Sequence, residues 1–224
     1  SNFLVQISNV CPPGHTRYCS LDFQGAETRL ITSVPSGRQP ESRYPNDVSK
    51  LYFTYSAMNA GKSAILLQAA HNYHECGMEV MRWTSGNHSD DPDATMGEIE
   101  SRIGLRAPAH LFRSETDMFA VIETCKAESQ LDAVFIDEAQ FLSKAQVWQL
   151  AKVGDELGIP VLCYGLRTDF QGEMFPGSAA LLAIADDLRE ARTICHCGRK
   201  ATMNLRRDAS GDAVTEGAQV GVAK

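Results

Sequence analysis

The chain has 224 residues, 43% of them hydrophobic and 22% charged, with a formal net charge of −7 and a pI of about 5.4. This is an ordinary globular composition, long enough for one α/β domain plus appendages. The acidic balance argues against a nucleic-acid-binding surface, no apolar run approaches a membrane span, and seven cysteines without scaffold spacing point to a reducing, cytoplasmic setting rather than to secretion.

Residues 1–49 differ from the rest. Pro35, Gly37, Pro40 and Pro45 fall among Ser, Arg and Asn, so a loop-rich or disordered extension is expected, with Cys11 and Cys19 as unrelated thiols. From Lys50 onward, apolar runs alternate with helical patterns, which implies parallel strands joined by crossovers. Leu51 to Tyr55 is a strand. A helix starts near Lys62, buries Ile65, Leu66 and Ala69, and stops at Gly77. Glu79 to Thr84 is the next strand, and Ala133 to Ile136 a buried one. Ser143 and Gln146 form a capping-box pattern opening a helix that carries Val147, Leu150, Ala151 and Leu157 and ends at Gly158 and Pro160. Val161 to Tyr164 is a further strand, and Ala179 to Ile184 a short helix. Composition changes again after Arg192. The division expected is 1–49, 50–191 and 192–224.

Two stretches carry chemistry. Between the first strand and first helix stands Ser56-Ala57-Met58-Asn59-Ala60-Gly61-Lys62-Ser63. Strand, glycine loop, Lys-Ser, helix is the layout of a phosphate-binding P-loop, although Ser56 stands where the first glycine is usual. Backbone N–H groups at a helix N-terminus favour anionic phosphates. Lys62 would reach the outer phosphates of ATP, and Ser63 would meet Mg²⁺. The second stretch is Asp137-Glu138-Ala139-Gln140-Phe141, which follows a buried strand at the sheet edge where α/β proteins bind ligands. Asp137 there can serve the same Mg²⁺.

Taken together, these motifs resemble the thymidine kinases, in the zinc-containing, tetrameric type and its proteobacterial form. Ser101-Arg102-Ile103-Gly104-Leu105, Pro160 through Phe170, and Thr193-Ile194-Cys195-His196-Cys197-Gly198-Arg199-Lys200 extend the likeness from about Lys50 to Gln219. The resemblance implies a P-loop NTPase-like parallel sheet flanked by helices. It also implies a small C-terminal zinc and lasso domain, truncated in this sequence. The activity implied is transfer of the γ-phosphoryl of ATP to the 5′-hydroxyl of thymidine. Two other readings stand beside it, a nucleotide-binding module without turnover and a P-loop ATPase acting on another substrate.

The resemblance also distributes roles. Glu138 matches the carboxylate that takes the proton from the 5′-hydroxyl, with Asp137 alternating away from it toward Mg²⁺. ATP would meet Ser56 through Ser63 and Asp137, Glu138, Ala139 and Gln140. Phe170 occupies the position that stacks on thymine, while Met58 and Phe141 suit either that pocket or the core. Arg102 suits a phosphate contact or a surface ion pair. An arginine usual in the family is missing from Asn87 to Asp93. Cys195 and Cys197 match half of a four-ligand zinc site, and as residues alone they are equally two free thiols. The sequence ends at Lys224, before a second pair and shortly after Glu216-Gly217-Ala218-Gln219-Val220, where the family's lasso begins. The family further implies a homotetramer and feedback inhibition by dTTP.

Overall fold

A computed structural model describes residues 50–208, 210, 213–214 and 216–217. The expectations for residues 1–49 and for most of the lasso segment lie outside the described residues. Strand β1 (Leu51–Ser56) feeds helix α1 (Lys62–Glu75), and β2 (Val80–Ser85) follows. A hairpin of β3 (Met96–Glu100) and β4 (Arg106–Phe112) leads to α2 (Met118–Glu128) and β5 (Ala133–Ile136). Then come α3 (Lys144–Leu157), β6 (Val161–Leu166), α4 (Pro176–Ile184) and β7 (Asp187–Glu190), and finally a small pair, β8 (Arg206–Arg207) and β9 (Ala213–Val214).

The main sheet has the order β3-β4-β2-β5-β6-β1-β7. All neighbours pair in parallel except β3, which is antiparallel to β4. Successive strand residues point to opposite faces, so each central strand feeds two cores. On one face, Leu51, Phe53, Val134, Ile136, Val161 and Cys163 pack with Val147 and Leu150 of α3 and Leu181 of α4. On the other, Ala133, Phe135 and Tyr164 pack with Leu66, Leu67 and Ala70 of α1. Burial on both faces explains why β5 is a continuous apolar run.

The parallel sheet, the first strand and the capping box match the sequence expectation. Ser143 Oγ accepts from Gln146 N at 3.2 Å, and Gln146 Oε1 accepts from Ser143 N at 3.0 Å. One helix face does not match. Ile65 is 44% exposed, and Leu66, Leu67 and Ala70 form the buried stripe instead. Residues on a helix turn by about 100° each, so Ile65 falls just outside the stripe that meets the sheet. The β3–β4 hairpin, α2 and β7 were not expected. β3 is largely exposed and short, which leaves a weak alternating signal.

Candidate active site

The β1–α1 connection forms a tight loop. Asn59 and Gly61 both take left-handed backbone, at φ 65° and 74°. Gly61 O accepts from Ile65 N at 2.9 Å, closing the first turn of α1. Lys62 folds back over the loop: its Nζ donates to Ser56 Oγ at 3.0 Å and to Ala57 O at 3.2 Å. Burial lowers the Lys62 pKa, opposed by the charges of Glu138 and Asp137. Distant segments grip the same loop. Arg102, at the tip of the β3–β4 hairpin, donates to Asn59 Oδ1. Thr193 Oγ donates to Asn59 O at 3.1 Å, and Asn204 Oδ1 accepts from Met58 N at 2.7 Å. Arg102 is thus attached to the P-loop rather than to a surface acid.

The acids reach this loop from β5. Strand order places β6 between β5 and β1, so the P-loop and the acids leave the same sheet edge one strand apart. Asp137 keeps the strand's course, its N–H donating to Trp83 O at 2.8 Å. Its side chain is buried and Oδ1 has no hydrogen-bond partner, while the nearby Ser63 hydroxyl favours the charged form of the carboxyl. Burial, and secondarily the charge of Glu138, push its pKa up to about 6. A buried carboxylate oxygen without a partner, beside a hydroxyl, is a pair of hard oxygen donors that fits Mg²⁺. Glu138 leaves the strand. It takes left-handed backbone at φ 53°, ψ 35° and opens a short 3-10 turn, Ala139–Phe141. The two acids therefore diverge by a change of backbone, not by strand alternation as the sequence suggested.

The expected site residues are only partly gathered together. Met58 through Ser63, Arg102 and Glu138 line one cleft of about 410 Å³. Asp137 lines an adjoining cleft that shares Glu100 and Glu138 with the first. Ser56 is buried under the loop, and Ala139 and Gln140 are buried under the acids. Phe141 packs edge-on against Phe175, ring centroids 5.8 Å apart, beside a different cleft. Phe170 lies on the loop after β6, with the Arg206 guanidinium 3.9 Å from its ring centroid. That loop is fixed by Asp169, whose Oδ1 accepts from Gln171 N and Glu173 N at 2.8 and 3.0 Å.

Sequence reading missed Asn204. Its Nδ2 donates to Thr168 O at 2.9 Å while its Oδ1 holds Met58, so one side chain ties the P-loop to the Phe170 loop. No local pattern marks such a residue, because its partners are remote in sequence. Cys195 and Cys197 sit on a turn closed by Cys195 N donating to Arg199 O at 2.7 Å. A hydrogen bond from the Arg199 backbone, then one from Cys195, lower the Cys197 pKa. Among the described residues no group of three or more His, Cys, Asp or Glu is placed to hold a metal ion. Those residues alone therefore do not fit a closed tetrahedral zinc site. Among them, no helix is long and apolar enough to cross a membrane.

Comparison with known proteins places this geometry. A family model described as thymidine kinase matches residues 49–221. A thymidine kinase of Ruegeria pomeroyi is 59% identical over 173 residues, which are 77% of this chain and 86% of that one. Those of Rhizobium meliloti and Novosphingobium aromaticivorans are 59% and 60% identical, over 78% and 77% of this chain and 89% and 88% of theirs. A likeness to the crystal structure of Pif1 helicase from Candida albicans has a TM-score of 0.38 at 14% identity, over 66% of this chain and 37% of that one, too distant to inform the fold. The match over most of the chain, together with the P-loop and paired acids, shows that this protein belongs to the thymidine kinase family.

Proposed function

We propose that this chain transfers the γ-phosphoryl group of ATP to the 5′-hydroxyl of thymidine, giving dTMP and ADP, with Glu138 as general base. The observation that carries the assignment is the placement of Glu138 on the same cleft as the P-loop. The Glu138 carboxylate accepts the hydroxyl proton as the 5′-oxygen bonds to the γ-phosphorus. The bond to the β,γ-bridging oxygen breaks, and ADP leaves with that electron pair. Lys62 exchanges its contacts with Ser56 and Ala57 for phosphate oxygens, and the free N–H groups of the loop cradle the rest. Ser63 and Asp137 would hold Mg²⁺, whose chemistry is neutralisation of charge on the β- and γ-phosphates. Ala139 and Gln140 act from beneath, shaping the site rather than touching nucleotide.

The base of thymidine is assigned to the region joined by Asn204, between Met58 and Phe170. Stacking on Phe170 requires the ring's free face, or a shift of Arg206. Phe141 packs on Phe175 beside a different cleft. Cys195 and Cys197 are two candidate zinc ligands that need a second pair from beyond the described residues. A homotetramer and a cytoplasmic setting follow from the family resemblance and the cysteine usage. Residues 50–191 then form the kinase domain, and residues from 192 begin the smaller unit.

The experiment is ADP formation from MgATP with thymidine, deoxycytidine or no acceptor. Turnover dependent on thymidine supports the assignment. Equal hydrolysis without acceptor identifies an ATPase, and ATP binding without turnover identifies an inert nucleotide-binding module.

A further inference from the structure

The turn beneath the acids is built around one amide. Gln140 is 1% exposed and does not line the P-loop cleft. Its Oε1 accepts from Leu166 N at 2.9 Å, and its Nε2 donates to Glu138 Oε2. A backbone N–H can only donate, so the amide oxygen must face Leu166 and the NH₂ must face Glu138. The neighbouring elements leave the turn no room to shift. A Cβ on Gly165 of β6 would lie 2.9 Å from Gln140 Oε1 and 3.0 Å from Gln140 N. One on Gly177 of α4 would lie 2.6 Å from the carbonyl oxygens of both Ala139 and Leu142. Bare backbone thus closes on the turn from two sides. Glu138 needs this confinement, because left-handed backbone at a non-glycine residue persists only where the surroundings over-determine it.

We propose that Gln140 is a positioning residue for the Glu138 carboxylate, holding it in the cleft by a hydrogen bond from the protein interior. The inference rests on the reading of Glu138 as general base. A neutral amide suits this role because it donates to the carboxylate without adding a cation that would compete for it. One carboxylate oxygen is fixed by Gln140, which leaves the other to meet the hydroxyl. The Gln140 amide is in turn fixed by the end of β6, so the position of the base is tied to the sheet rather than to a loop.

The test is a double-mutant cycle of Gln140→Met, a near-isosteric change, with Glu138→Gln. Phosphoryl transfer is followed with labelled ATP, and active sites are counted by MgATP binding. In the otherwise unaltered chain, Gln140→Met is expected to lower kcat about 10- to 100-fold, the scale of a misplaced catalytic group, with both KM values nearly unchanged. In the Glu138→Gln background the same change is expected to cost nothing further. Equal fold losses in both backgrounds overturn the proposal, because they mark a role independent of Glu138. So does a rise in KM with kcat preserved. If Gln140→Met does not bind MgATP, Gln140→Asn replaces it in the cycle, since it stays neutral and polar but is too short to reach both Leu166 N and Glu138. Wild-type turnover in Glu138→Gln alone removes the base assignment itself. Turnover lost there, with additive losses in the cycle, removes only the role of Gln140.

Discussion

Lys62 Nζ donates to Ser56 Oγ at 3.0 Å, so the lysine of the loop is held by the residue that stands where a first glycine is usual. The serine is buried, and its hydroxyl also donates to Ala57 O at 2.7 Å. Ser56 is therefore a stay for the lysine in the free chain, not a defect in the loop.

Lys62 and Ser56 then separate in their effects. Lys62→Met is expected to lower kcat/KM at least about 100-fold, because an ammonium aimed at phosphates is lost from a partly desolvated site. Ser56→Ala removes one hydrogen bond and is expected to cost about 1 kcal/mol of stability, with kcat/KM within a few-fold of the parent. Steady-state kinetics and thermal melts of both variants check this. Equal kinetic losses would contradict it.

Asp137 makes apo stability depend on pH. Its pKa is raised from 3.8 to about 6, so the folded chain binds this proton more tightly than the unfolded chain does. Stability contributed by the protonated form is present below about pH 4 and is lost as pH rises through about 6. Asp137→Asn cannot ionise, so without Mg²⁺ it should be more stable than the parent at pH 7.5. The gain is on the order of 3 kcal/mol, and it should shrink toward pH 4.5. Melting temperatures in chelator across that range measure it. A gap that stays constant with pH would show that ionisation of Asp137 is not its source. The same variant should lose phosphoryl transfer.

Phe170 is expected to act on one substrate. Stacking of a base on an aromatic ring is worth about 1–3 kcal/mol, so Phe170→Ala should raise the thymidine KM roughly 10-fold or more. The KM for ATP should move no more than about 2-fold, because the P-loop cleft does not include this ring. Parallel titration of the two substrates decides it, and equal shifts would count against stacking.

Ser143 offers a change without catalytic consequence. Loss of the capping box in Ser143→Ala should cost about 0.5–2 kcal/mol in a urea melt. Turnover at 25 °C should be retained, since the cap lies on the face of the sheet that carries α3. A loss of kcat with the fold intact would show that α3 positions the acids more directly than its contacts indicate.

Local chemistry made much of this molecule legible in advance. The P-loop, the apolar β5 run, the Asp-Glu pair and the Ser143–Gln146 box are each contiguous patterns with a physical cause inside a few residues. The directions of Glu138 and Ile65 were less legible. Glu138 leaves the strand because the turn beneath it is confined by Gly165 and Gly177, which lie well downstream in the chain. Ile65 lies outside the buried stripe because only Leu66, Leu67 and Ala70 face the sheet once α1 is docked, and which side of a helix docks is decided by the assembled fold. Asn204 acts only through partners brought together by the finished fold, and Gln140 is anchored by one such partner, Leu166. Met58, Phe141 and Phe170 looked like one apolar set, yet the turn after β5 carries Phe141 away from the cleft that Met58 lines.

The most direct measurement is phosphoryl transfer by Glu138→Gln alongside MgATP binding by the same protein. A general base contributes about 10²–10⁴-fold, so the account predicts a kcat reduced on that scale with MgATP bound as tightly as by the parent chain. Turnover of thymidine at the parent rate would contradict it and would move the base to another group on the cleft.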